Sequence, residues 1–200
     1  PPTPGPSPTW GGEKEAPVIG YLARVCHDKG LHLLVDACER LAGSHDFELH
    51  AAGYLGAADR AYLSGLEKRA AAGPLAGRFR YLGELDRAAK LDFLRGVTLF
   101  STPTVYRESK GLPALEALAA GTPVVLPDHG GFPELVAESG GGLLHRPKDP
   151  VHLAERLAAL LDNPSHAASL GETGRGHVHQ HRNDKRMAES TLRLYRTLLP

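Results

Sequence analysis

Two glutamates set either side of a glycine and a proline are the residues best spaced to do chemistry. In TVYRESKGLPALEALAAGTPVV, Thr104–Val125, Glu108 lies just before a predicted helix, Gly111 at its mouth and Glu116 inside it. Such a pair suits three kinds of work. It can act as two acids flanking a glycosidic bond, which needs carboxyls roughly 5–10 Å apart across an open cleft. It can clamp a ligand that carries both hydroxyls and phosphates. It can also be solvated surface charge. Gly111 can adopt a backbone that a side chain would block, so the N–H groups of Gly111 and Leu112 can face a phosphate, and Lys110 adds charge. Glu116 is close enough to the helix mouth to accept from a vicinal diol, as carboxylates do at a ribose.

A second stretch carries cations. In ARVCHDKG, Ala23–Gly30, Arg24 and Lys29 flank a turn into a helix. Free N–H groups and the helix dipole point there, and two cations complete an anion site; the alternative is an ordinary basic surface loop. In PDHGGFPEL, Gly130 and Gly131 precede another helix and offer a second glycine-lined anion loop. No GxGxxG and no Walker A sequence occurs, so the dinucleotide and P-loop readings fail on motif. No GxSxG occurs either, and Cys26 beside His27 lacks a third orienting group for nucleophilic work. Of eleven histidines, His177, His179 and His181 alternate. We place them on different faces of a helix, where they would share a metal only if the segment were extended.

These loops need a scaffold, and the chain alternates strand and helix about six times. VIGYLA (Val18–Ala23), FELHAAG (Phe47–Gly53), RFRYLG (Arg78–Gly83), VTLFST (Val97–Thr102), TPVVLP and GGLLHRP read as strands. Between them, 30–42, 59–70, 87–96, 111–121 and 132–140 read as helices. This is the pattern of an α/β, doubly wound, Rossmann-like parallel six-stranded sheet with helices on both faces. Ligands in such folds bind at the carboxyl ends of the strands, where all the loops above fall. After Pro147 the pattern is helical only, at about 150–162, 165–177 and 183–198.

The whole chain has 200 residues, 23 Lys+Arg against 23 Asp+Glu, and two cysteines, Cys26 and Cys38. That is one domain able to bury its own core without staples. Zero net charge speaks against nucleic acid or a polybasic membrane anchor, so any anion site is local. The cysteines suit a reduced compartment better than a disulfide framework. The opening PPTPGPSPTW lacks the basic region and apolar core of a signal peptide. We expect residues 1–16 to be a Pro/Gly-rich linker or disordered tail, and the chain to be cut from something longer.

IGYLARVCHDKGLHLLVDA, YLGEL and YRESKGLPALEALAAGTPVV together resemble the C-terminal half of a GT-B glycosyltransferase, in the retaining family 4 also called glycosyl transferases group 1. The resemblance runs from about Val18 to Leu198. The Glu-x7-Glu motif of that family is filled by Glu108 and Glu116, with Gly111 and Leu112 between. The resemblance implies a donor-binding domain over 17–182 and, over 183–200, a C-terminal helix that would cross back to a missing N-terminal domain. It implies that Arg24 and Lys29 hold the diphosphate of a nucleotide sugar, with Gly111 and Leu112 adding backbone donors. Glu116 would accept the ribose hydroxyls and Glu108 would face the transferred sugar as the catalytic candidate. Glu84 and Leu85 would lie beside the base, and Gly20 would let the donor approach the first strand. A UDP-sugar is favoured, with GDP- or ADP-sugars open; no cofactor and no metal are expected.

The implied enzyme is a hexosyltransferase within a longer chain, with the isolated domain inactive. Its acceptor would be a glycan, a lipid or a small molecule. The implied location is cytoplasmic, with peripheral attachment at the inner membrane through the missing domain left open. A nucleotide-sugar epimerase of the same architecture and a non-catalytic nucleotide-sugar-binding module remain as alternatives. One departure stands out: many relatives carry an aromatic where this chain has Lys110.

Overall fold

A computed structural model describes residues 16–198, so all but the last residue of the expected N-terminal tail lies outside the described residues. Six strands form one sheet: β1 (Val18–Leu22), β2 (Glu48–Ala52), β3 (Phe79–Tyr81), β4 (Leu99–Phe100), β5 (Val124–Pro127) and β6 (Gly142–His145). Their order is β3-β2-β1-β4-β5-β6, and every neighbouring pair is parallel. This is the doubly wound fold that the alternation predicts. Eight helices accompany the strands: α1 (Leu31–Leu41), α2 (Arg60–Ala72), α3 (Arg87–Gly96), α4 (Leu112–Ala120), α5 (Phe132–Ser139), α6 (Pro150–Leu161), α7 (Pro164–His181) and α8 (Asp184–Leu198).

The elements form where the sequence favours them. All four residues of β5 are buried, as a strand covered on both faces must be, so it reads as an unbroken apolar run. In α1, Leu31, Leu34, Val35, Cys38 and Leu41 recur at helical spacing and are all buried. Asp86 caps α3 by accepting from the Ala89 N–H at 2.8 Å, and Asp149 caps α6 by accepting from His152 at 2.9 Å.

Two cores result. One lies between the sheet and α1, α2 and α6, around Tyr21, Leu34, Leu49 and Leu157. The other lies beneath α3, α4 and α5, around Phe100, Leu118, Leu126 and Phe132. Helix α7 joins them, burying Ala167 in the first and Val178 in the second. Helix α8 buries no residue, and Met187, Leu192, Leu194, Tyr195 and Leu198 are all exposed on it. Among the described residues, no helix is long and apolar enough to cross a membrane.

Three expectations change. Strand β4 is two residues long rather than six, because side chains take over ladder positions at its ends. Thr98 Oγ1 accepts from the Val18 N–H at 3.0 Å, and Ser101 Oγ donates to the Val125 carbonyl at 2.7 Å. Two short 3-10 turns, His27–Lys29 and Ala57–Asp59, precede α1 and α2. Helix α7 continues to His181, which puts His177 and His181 one turn apart on one face, with ring centroids 4.8 Å apart. The expectation that these histidines lie on different faces of a helix is therefore wrong for this pair. Among the described residues, no group of three or more His, Cys, Asp or Glu is placed to hold a metal ion.

Candidate functional site

The strand order reverses direction between β1 and β4. From β1 the chain winds outward through β2 to β3, and from β4 through β5 to β6. In open α/β sheets the crevice beyond the carboxyl ends of such a strand pair is the usual ligand site. The loop after β1 carries Arg24 and Lys29. The loop after β4 carries Glu108, Lys110 and Gly111, and leads into α4 with Glu116. A backbone bond from Val105 N–H to the Asp28 carbonyl, at 2.8 Å, ties the two loops together.

Lys29 and Glu108 meet in this crevice. Lys29 Nζ lies 2.6 Å from Glu108 Oε2, with the side chains only 24% and 16% exposed. The Tyr106 hydroxyl donates to the same carboxylate oxygen at 2.7 Å, accepts from Lys29, and places its ring 4.9 Å from the ammonium. The Ser109 N–H donates to the other oxygen at 3.1 Å. Burial alone would raise the Glu108 carboxyl. The Lys29 and Tyr106 hydrogen bonds, the Lys29 charge and the Ser109 N–H outweigh it and bring the value down to about 2. Burial also opposes the Lys29 charge, but bonds to Glu108 and Tyr106 leave its value above the usual lysine range. Glu108 is thus held as an anion at neutral pH and is not the general acid of such a pair.

The α4 mouth is open. Gly111 caps the helix in a left-handed conformation, φ 58°, and a Cβ there would lie 2.6 Å from the Phe132 ring. The Gly111 carbonyl accepts from Ala114 and Leu115, while the N–H groups of Gly111 and Leu112 have no acceptor among the described residues. Leu112 is exposed, and Lys110 beside it has no ion-pair partner among the described residues. An anion placed here would meet two backbone donors and the positive end of α4.

The remaining residues are arranged differently. Arg24 points to the β2 side, where it pairs with Asp59 at 3.1 Å and is largely exposed, so it does not converge with Lys29 on one partner. Glu116 is held by Lys90 of α3, whose Nζ lies 2.5 Å from Oε1. Glu84 is exposed and Leu85 half-buried in the loop after β3, next to the tie from Gly53 N–H to the Gly83 carbonyl. Gly20 lies inside β1 rather than at its end, and a Cβ there would fall on the Val97 methyls. Its small size serves packing against Val97.

Gly130 and Gly131 are not a free anion loop. The Gly131 N–H donates to the Glu108 carbonyl at 2.7 Å, and a Cβ on Gly131 would lie 2.6 Å from the Ser109 carbonyl oxygen. The two glycines let the start of α5 press against the Glu108 loop. His129 pins the same loop, its Nε2 donating to the Thr104 carbonyl at 3.0 Å. Tyr106, Lys90 and Asp59 are the site residues that sequence reasoning missed. Tyr106 stands two residues before Glu108, which is a usable signal, whereas Lys90 and Asp59 pair with residues 26 and 35 positions away and carry none.

Comparison with known proteins bears on this arrangement. The family model described as glycosyl transferases group 1 matches residues 8–177. An alpha-maltose-1-phosphate synthase of Mycobacterium tuberculosis is 34% identical over 196 residues, covering 93% of this chain and 49% of that protein. A sucrose-phosphate synthase from Thermosynechococcus elongatus superposes with a TM-score of 0.81 at 30% identity, over 92% of this chain and 46% of its own. Anabaena HepE, solved in complex with UDP and glucose, shares the fold with a TM-score of 0.79 at 23% identity, over 88% of this chain and 48% of its own. The chain thus spans about half the length of the curated relative and of these solved structures.

Proposed function

The chain belongs to the glycosyl transferases group 1 family, and from this we propose that it is the donor-binding half of a retaining family 4 enzyme that moves a hexosyl group from a nucleoside-diphosphate sugar to an acceptor. The observation that carries this reading is the Lys29–Glu108–Tyr106 cluster beside the open N-terminus of α4, at the switch point of the sheet. In this reading Lys29 turns from Glu108 to the diphosphate, and the Gly111 and Leu112 N–H groups share it. Arg24 reaches the outer phosphate after leaving Asp59. Glu116 accepts from the ribose diol, the base rests by Glu84 and Leu85, and Glu108 accepts from hydroxyls of the sugar.

When the bond from the sugar to the diphosphate breaks, the electron pair stays on the departing phosphate. Once Lys29 has turned to the bound diphosphate, it and the α4 dipole face that charge as it develops and stabilise it. Retention requires the acceptor oxygen to arrive on the same face. The acceptor site, and the walls that exclude water, would come from an N-terminal half matching the remainder of the relatives' length. UDP is the favoured nucleotide, supported by the fold neighbour that was solved with it.

The test is calorimetric titration of the chain with UDP, GDP, ADP and uridine. We expect binding of UDP at about micromolar to millimolar Kd, since in this reading a second domain would complete the walls of the site. Lys29→Ala should weaken UDP by ~1.5–3 kcal/mol, the range for charge-assisted bonds, and leave uridine nearly unchanged. Equal losses for UDP and uridine would remove the diphosphate from Lys29.

A further inference from the structure

The contact that the site reading leaves unused is the ion pair behind Glu116. Lys90 is the fourth residue of α3 and Glu116 the fifth of α4, and their Nζ to Oε1 distance is 2.5 Å, with the side chains 30% and 40% exposed. Both helices are well anchored. Leu94 of α3 is 1% exposed, Ala114, Ala117 and Leu118 of α4 are buried, and Phe93, Leu85 and Leu115 pack against the same core. The start of α3 is fixed by the Asp86 cap, so Lys90 projects from a rigid base. Glu116 Oε2 has no hydrogen-bond partner among the described residues. One oxygen is therefore held by the ammonium, and the other stays available.

We infer that Lys90 is a positioning residue for the ribose of the donor, acting through Glu116 and resting on the reading of Glu116 as the diol acceptor. A free glutamate on a helix samples several rotamers, and fixing one costs affinity each time a ligand binds. Lys90 fixes the carboxylate beforehand. Lys90 lies one turn beyond the Glu84–Leu85 loop, so the same helix start that borders the base would also set the acceptor for the sugar ring next to it.

The experiment measures UDP and 2′-deoxy-UDP binding to the chain by calorimetry. The variants are Lys90→Met, Lys90→Arg, Glu116→Gln and the Lys90→Met/Glu116→Gln double. Lys90→Met should lower UDP affinity about 3–10-fold and change 2′-deoxy-UDP less than about twofold, as expected for a half-exposed charged pair. Lys90→Arg should recover most of the preference for the ribonucleotide. In the double variant, losing Lys90 should add nothing to the loss of Glu116. Equal weakening of both nucleotides by Lys90→Met, or no weakening, overturns the inference while Glu116→Gln still reports on the diol. If Glu116→Gln itself leaves the ribose preference intact, the diol reading of Glu116 falls, and the role of Lys90 falls with it.

Discussion

Replacing Glu108 by glutamine keeps the shape of the Lys29–Glu108–Tyr106 cluster and removes its anion. The carboxyl stands at about 2 in the folded chain, against an ordinary 4.5. At ~1.4 kcal/mol per pH unit, that difference caps the contribution at ~3 kcal/mol. The Tyr106 side of the cluster is open to solvent, and screening brings the figure to ~1–2 kcal/mol. The folded value lies below the unfolded one. The stabilisation is therefore complete above about pH 5 and is lost as pH falls through the folded value near 2. Urea unfolding of the wild type and Glu108→Gln should show curves ~1–2 kcal/mol apart at pH 6, or ~2–8 °C in Tm for a domain of this size. The gap should close as the pH approaches 2. Acid loss from every other carboxylate is common to both proteins and cancels. A gap that is absent at pH 6, or that stays constant down to acid, would refute the assignment of Glu108 as an anion held by Lys29 and Tyr106.

Gly111→Ala places a Cβ at φ 58° and 2.6 Å from the Phe132 ring. It should cost ~2 kcal/mol or more in chemical denaturation and weaken UDP, whereas Gly65→Ala on the open face of α2 should be neutral or stabilising by up to ~1 kcal/mol. Incubated with UDP-sugars and candidate acceptors, the chain should yield no glycosylated product. Product formed by these 200 residues alone would show that the division into a donor half and a separate acceptor half is wrong.

The order of elements was legible because each rests on local signals. Buried parallel strands such as Val124–Pro127 read as apolar runs, Asp86 and Asp149 mark helix starts, and Gly121 and Gly140 mark helix ends. Glu108, Gly111 and Glu116 were legible for the same reason: one loop and one helix carry them all. What stayed hidden depends on contacts between distant parts of the chain. Nothing near Lys90 announces that it reaches Glu116, and nothing near Arg24 announces that Asp59 turns it towards β2. Asp59 stands at the N-cap of α2, yet its side chain caps nothing there and instead pairs with Arg24. Gly130 and Gly131 resemble a phosphate loop because a glycine pair before a helix serves either a ligand or a neighbouring backbone. Here the backbone of Glu108 and Ser109 takes that space. Strand β4 was drawn too long because Thr98 and Ser101 have the composition of strand ends while their side chains replace ladder bonds.

The shortness of β4 has a mechanical consequence. The sheet is two three-stranded halves, and the joint between them runs through a strand that pairs with β1 at Leu99 and Phe100 and with β5 at Phe100 alone. Lys29 hangs from one half and Glu108 and Gly111 from the other. A diphosphate gripped by Lys29 and the α4 mouth would straddle that joint and staple it shut. Filling the site would then stiffen the middle of the sheet, and the amides at the seam, Thr98 to Val18 and Ser101 to Gly20, are where slowed hydrogen exchange would register it.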